Sequence, residues 1–223
     1  MTLDLHHEHA WDVSPREAID IQRQLEPLVR EEPLAAAAIE TVAGLDVSVR
    51  GDRVRAAVVV LHVEDMRVVD QAIWEGPVAF PYVPGLLSFR EVPAILPALD
   101  QLEGMPDVLM LDAHGRAHPR RFGLACHLGV LLDRPALGVA KTVYVGTHDT
   151  LATAKGHRVD LVHRDETVGI VLRTRKGVKP VYVSVGHRMT RDDASALALR
   201  CATRYKLPEP TRLAHLLSYR GHL

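Results

Sequence analysis

Three β-rich stretches follow one another directly, Ile39 to Arg50, Arg53 to Glu64 and Arg67 to Glu75, with only Gly51-Asp52 between the first two. A two-residue connection of that composition makes a tight turn between antiparallel strands, so the segment reads as a meander. Downstream the pattern changes. A short apolar run at 107–112 is followed by a helical stretch at about 122–133, a strand at 136–141, a pair of strands near 157–174 and a strand at 179–185. Two helices near 191–205 and 211–219 close the chain. Sequential strands followed by alternating helix and strand predict an α/β protein with a mixed β-sheet flanked by helices.

The helices carry their own punctuation. Ser14-Pro15-Arg16-Glu17 places a capping serine, a proline at the first helical position and a glutamate three residues on, which predicts a helix from there to about Arg30. After a Pro/Gly-rich loop at 76–85, a second capping box, Ser88-Phe89-Arg90-Glu91, opens a helical stretch from about Leu86 to Leu102. Pro93 and Pro97 predict that this helix is interrupted. No internal repeat, low-complexity linker or composition break divides the 223 residues, so residues 1–223 are expected to form a single domain. The element order is also that of the ribonuclease H-like architecture.

A formal net charge of −1 and few aromatic residues exclude a globally basic surface, so any polyanion must be met by a local patch. Cys126 and Cys201 match no metal or redox spacing and are expected as packed, reduced thiols in a reducing compartment. The chain starts without a basic, apolar leader, and no segment approaches the roughly 20 apolar residues of a membrane span. A soluble cytoplasmic protein with no membrane partner is expected. The tract His6-His7-Glu8-His9 reads either as a metal site or as a solvated terminus.

Two acids stand out by position. Asp46 lies mid-strand in Val42-Ala43-Gly44-Leu45-Asp46-Val47, where an unpaired carboxylate is costly to bury. It is either paired with an arginine or solvated, or it binds a metal. Asp112 ends Val108-Leu109-Met110-Leu111 at the carboxyl edge of a strand, where open α/β sheets place ligands. Glu91 offers a third acid, although a capping role explains it equally. Three acids on strand, helix and strand make the oxygen-rich site that Mg²⁺ prefers. Lys141 ends Leu137-Gly138-Val139-Ala140 and can stabilise phosphoryl charge or stand solvated.

Arg116, Arg120 and Arg121 with His114 and His118 make a basic loop suited to phosphate contacts, and a second basic region runs through Arg173, Arg175, Lys176, Lys179, His187, Arg188 and Arg191. Either is otherwise a solvated face. In Phe80-Pro81-Tyr82-Val83-Pro84-Gly85 two prolines stiffen a loop bearing an aromatic ring, which suits base stacking or strand wedging, or else core packing. P-loop, dinucleotide, zinc-protease and α/β-hydrolase motifs are absent.

The stretches around Asp46, 80–91, 107–141 and 178–191, with Leu207-Pro208-Glu209-Pro210-Thr211-Arg212-Leu213-Ala214-His215, closely resemble the endonuclease V family from about residue 14 to 218. The most specific pieces are Phe80 to Glu91 and His118-Pro119-Arg120-Arg121-Phe122-Gly123. The resemblance implies a ribonuclease H-like fold and a DNA repair endonuclease, dependent on Mg²⁺ with Mn²⁺ as a substitute. Its implied substrate is inosine-containing DNA, or RNA. The enzyme reads hypoxanthine and cuts the second phosphodiester on its 3′ side, leaving a 3′-hydroxyl and a 5′-phosphate.

It further implies Asp46, Asp112 and Glu91 as metal-binding and catalytic acids, Lys141 as a catalytic lysine and His215 as a histidine near the site. Tyr82, within Pro81 to Pro84, would be the wedge. Gly85, Leu87, Gly115, His118 and Gly123, with Arg120 and Arg121, would form or flank the lesion-binding surface. Two positions depart from the family pattern. Ala113 stands for a usual glycine, where a methyl narrows the pocket or opposes a positive φ, and Val185 stands for a usual proline. The competing readings are an inosine-specific endoribonuclease and a binding module that does not cut.

Overall fold

The computed structural model describes residues 2–34 and 39–223. Strand β1 (Thr41–Arg50) turns at Gly51, whose φ of 62° suits a two-residue hairpin, into β2 (Arg53–His62). Strand β3 (Val68–Pro77) completes the expected antiparallel meander. On the other side of β1, β4 (Val108–Leu111) pairs parallel to it and β5 (Ala136–Ala140) pairs parallel to β4. Strand β8 (Val181–His187) then returns antiparallel, followed by β7 (Glu166–Leu172) and β6 (Arg158–His163). The result is one eight-stranded mixed sheet in the order β3-β2-β1-β4-β5-β8-β7-β6.

Burial explains the order. Every residue of β4 and β5 is buried, as expected of central strands covered on both faces. The outermost strands β3 and β6 instead alternate, exposing Gln71 and Glu75 on one and Arg158 and Asp160 on the other, which blunts edge pairing. Helices α2 (Leu87–Leu99) and α3 (Leu124–Leu132) pack Val92, Ile95, Leu128 and Leu131 with Leu45, Leu109 and Leu111 on one face. Helices α4 (Arg191–Cys201) and α5 (Glu209–Arg220) cover the other with Ala198, Ala214 and Leu217 against Val42, Met110 and Leu137. The approach of α5 to β1 is so close that a Cβ on Gly44 would lie 1.9 Å from the Pro210 carbonyl oxygen.

Three local expectations change. Helix α1 (Pro15–Leu25) forms with the Ser14–Glu17 capping box but ends before Arg30, tightening into a 3₁₀ turn at Glu26–Leu28, where Pro27 has no N–H to continue an α-helix. Helix α2 is continuous through Pro93 and Pro97. Its buried face of Val92, Ala94, Ile95, Ala98 and Leu99 is held on the sheet, and that packing outweighs the lost hydrogen bonds. The Ser88–Glu91 capping box does not form, because Leu86 is the N-cap and both residues lie inside the helix.

The histidine-bearing N-terminal segment is tied down. Leu3, Leu5 and Trp11 pack on the α2/α3 side, and His6 N donates to the Leu131 carbonyl at 2.7 Å. Cys126 and Cys201 are buried free thiols, each pushed up to about 12 by burial. Among the described residues no helix is long and apolar enough to cross a membrane.

Candidate functional site

Parallel pairing sets Leu45 of β1 beside Leu111 of β4, so the next residue on each chain, Asp46 and Asp112, reaches the same edge of the sheet. The Asp112 amide donates to the Leu45 carbonyl at 3.4 Å. Lys141, directly after β5, donates to Asp112 Oδ2. From α5, His215 Nδ1 lies 3.4 Å from Asp46 Oδ2, and the Ser218 hydroxyl, three residues on, donates to the same oxygen. One ligand atom each of Asp46, Asp112 and His215 falls within 4.8 Å of the other two.

Glu91 reaches toward this group from α2 on the opposite face of the sheet. Its carboxyl is pushed up to about 8, first by burial and then by the negative charges of Asp46 and Asp112. Asp112 is also raised, by burial first, with Lys141 opposing. The charges of Asp46 and Asp112 raise Glu91, and that of Asp46 raises Asp112 even with Lys141 bonded to it, an excess of negative charge that a divalent cation fits. The three expected acids therefore converge electrostatically, but the tightest donor set takes His215 rather than Glu91 as its third member.

Beside the acids lies a pocket of about 420 Å³ between α2 and the loops that follow β4 and β5. Tyr82, Val83, Pro84, Gly85, Leu87, His118 and Gly123 line it, as does Asp112. Tyr82 is 69 % exposed, whereas Phe80 is buried, so the rigid loop splits its two rings between solvent and core. Gly85, at φ 84°, is pinned through its carbonyl, which accepts from Gln22 Nε2 at 3.0 Å, His118 Nε2 at 3.1 Å and Arg120 Nη2 at 2.7 Å. His118 Nδ1 accepts from the Arg120 amide, which fixes the tautomer. Burial and then Arg120 push that imidazole down to about 3.

Other expected residues serve this frame from outside the lining. Gly115 allows the loop to touch β8: a Cβ there would meet the Val185 carbonyl oxygen at 2.0 Å, and its amide donates to Ser184 Oγ at 2.9 Å. Arg120 Nε donates to Gln22 at 2.6 Å, while Arg121 is committed to Glu166, His163 and the His118 carbonyl. Arg116 pairs with Glu26, Glu31 and Glu166. The arginines of this loop are thus cross-ties between segments, with Arg116 and Arg121 both paired with Glu166. In the second basic region Arg173 binds three carbonyls, and Arg188 is paired with Glu32 and Asp133. Pro81 stays outside the pocket lining. Ala113 lines the pocket but lacks a positive φ, so its methyl acts on space and not on backbone conformation.

Several participants carried no sequence signal. Thr142, Val143 and Tyr144 complete the pocket wall after Lys141, with the Tyr144 ring 5.9 Å from His114 and 5.6 Å from His118. Behind the pocket, His9 Nδ1 faces the Ala10 carbonyl at 2.8 Å and so carries its proton; its Nε2 accepts from His127 Nε2–H at 2.7 Å. His127 Nδ1 is left to accept from the Ser88 hydroxyl at 2.8 Å. Only the distance between His9, Ser88 and His127 in the chain hid this directional series.

A family model described as Endonuclease V matches residues 23–216. The Endonuclease V of Roseiflexus castenholzii is 50 % identical over 219 residues, covering 97 % of each chain. The crystal structure of the Endonuclease V from Streptomyces avermitilis superimposes with a TM-score of 0.91 at 43 % identity, covering 95 % of this chain and 94 % of that one. Ciona intestinalis Endonuclease V, solved in complex with a 24mer DNA containing an inosine followed by a ribo-adenosine, gives a TM-score of 0.83 at 26 % identity, covering 92 % and 96 %.

Proposed function

We propose, from the premise that this chain belongs to the endonuclease V family and is a nuclease, that it is a Mg²⁺-dependent DNA repair endonuclease acting as one cytoplasmic domain. It recognises deoxyinosine and hydrolyses the second phosphodiester 3′ to it, leaving a 3′-hydroxyl and a 5′-phosphate. Mn²⁺ substitutes for Mg²⁺. The observation that carries this reading is the convergence of Asp46, Asp112 and His215 beside a pocket that Asp112 and Tyr82 both line.

The donor set suits a hard divalent cation held by Asp46, Asp112 and His215 with Glu91 behind them. Such an ion, when bound, supplies charge stabilisation to phosphoryl oxygens and makes water more acidic. The chain's own residues do the rest. Lys141, already beside Asp112, meets the charge of the scissile phosphate. The Ser218 hydroxyl holds the Asp46 carboxylate in position. Tyr82 occupies the gap left when the base leaves its stack, and an inosine pair yields its base at lower cost than a normal pair. The pocket volume admits a purine ring, which the pinned Gly85 loop and the Ala113 methyl would face.

End-labelled DNA and RNA oligonucleotides, with and without one inosine, test this in Mg²⁺ and in EDTA. Cutting is expected only with inosine and only with metal, at the second phosphodiester. Folded protein that leaves inosine DNA and RNA intact would overturn the assignment.

A further inference from the structure

The pocket opens on the α2/α3 face of the sheet, the acids sit at its carboxyl edge, and α5 covers the other face. A strand that enters the pocket and reaches Asp112 is therefore at the point of crossing that edge, and cations stand beyond it. Strands β5 and β8 pair Ala140 with Tyr182, so Lys179, just ahead of β8, runs beside the chain carrying Lys141. Thr174 Oγ1 donates to the Lys206 carbonyl at 2.6 Å, tying the loop of Lys179 to the segment before α5. Burial first, and then the like charges of Lys179 and Lys141, hold the Lys206 ammonium below its usual range. Among the described residues neither Lys179 nor Lys206 forms an ion pair.

Next in the chain, Tyr205 is 42 % exposed. The Arg212 guanidinium stacks 4.5 Å from its ring centre, with Arg204 at 5.8 Å, and Arg212 is itself held by Glu209. Arg212 lies three residues before His215 on α5, so this surface is continuous with the acids. Ammonium groups kept together beside an exposed ring, with Asp112 the acid near them but paired with Lys141, match a strand of phosphates and bases. In a chain of net charge −1 such a cluster is local and not part of a generally basic surface.

We propose that Lys179, Lys206 and Tyr205 form a subsite for the nucleic-acid strand on the 3′ side of the scissile phosphodiester. The lysines meet its phosphates and Tyr205 stacks one of its bases. The polarity rests on the proposed inosine-directed cut, since the lesion occupies the pocket and the strand continues 3′ past the acids.

The test is the affinity of the full chain, in Ca²⁺, for inosine and matching adenine oligonucleotides that either stop just past the scissile position or extend about ten nucleotides beyond it, a length within the usual range of single-strand sites. The longer strand should bind more tightly. K179A/K206A should weaken its binding about tenfold and flatten the slope of log affinity against log salt by about two. Y205A should also cost the long strand about tenfold and the short strand much less. Circular dichroism confirms that each variant is folded, and R175A/K176A, on the exposed loop tip, controls for loss of charge alone. Equal binding of long and short strands on both the inosine and adenine series, or an equal loss in R175A/K176A, overturns the subsite. Loss of the preference for inosine with the flank effect retained counts instead against the base-selective reading, and supports the subsite.

Discussion

Asp46 and Asp112 occupy equivalent positions on adjacent parallel strands, each one residue past the register partners Leu45 and Leu111. Their spacing is fixed by the sheet, and side-chain adjustment adds only the final placement.

Replacing either aspartate with asparagine should therefore lower metal-dependent cleavage by more than about a hundredfold, the upper end for losing a group merely behind a metal ligand. Retained turnover in D46N or D112N, measured on an inosine oligonucleotide in Mg²⁺, would refute the assignment.

Ser218→Ala removes the hydroxyl that donates to Asp46 Oδ2 but no ligand. Metal affinity should fall by about tenfold to a hundredfold, with the rate recovering at high metal concentration. A Mn²⁺ titration separates this from loss of folding, which excess metal would not repair.

Tyr82 is exposed and contributes nothing to the core. Tyr82→Ala should leave thermal stability and metal binding in place while weakening affinity for inosine duplexes about tenfold, the usual size of one base–aromatic stack. Unchanged duplex affinity would remove the wedge role.

Glu91 gives the metal-free protein a pH signature. A carboxyl raised from 4.5 to about 8 by folding binds more protons in the native state than in the unfolded chain, so its contribution to stability falls between those values and is constant above them. In EDTA, Glu91→Gln should gain melting temperature relative to wild type as pH rises from about 5 to about 8. Mg²⁺ should stabilise the wild type more at the upper end of that range, because the cation and the proton compete for the same oxygens. Parallel melting curves for the two proteins would show that Glu91 is ionised at all these pH values.

Ser88→Ala leaves the buried Nδ1 of His127 without its donor. Urea denaturation at neutral pH should show a loss of about 1–3 kcal/mol. His127 is held neutral, by burial first and then by His9, so the stability it confers is present above 6.5 and declines as pH falls below it. A variant as stable as wild type would mean that the hydroxyl is not needed.

The meander and the alternating half were legible because Gly51-Asp52 and the apolar run Val108 to Leu111 are local signals of turn and buried strand. Asp46, Asp112 and Lys141 were legible for the same reason, as polar groups placed against an apolar background. Ser88 and Glu91 misled because a capping box one register inside a helix reads the same as one at its start. The prolines of α2 misled because local propensity does not know that a buried face will keep the helix continuous. The ties of Arg116 and Arg121 to Glu166, and the series from Ser88 to His9, join distant segments, and a linear pattern carries no trace of them.

The contact between Gly44 and Pro210 has a further consequence. Asp46 stands two residues after the glycine and His215 five residues after the proline, so the gap between a strand carboxylate and a helix imidazole is a main-chain dimension. A single methyl at Gly44 would meet the Pro210 carbonyl and widen that gap, so the distance between two candidate ligands is set at a residue that is neither of them.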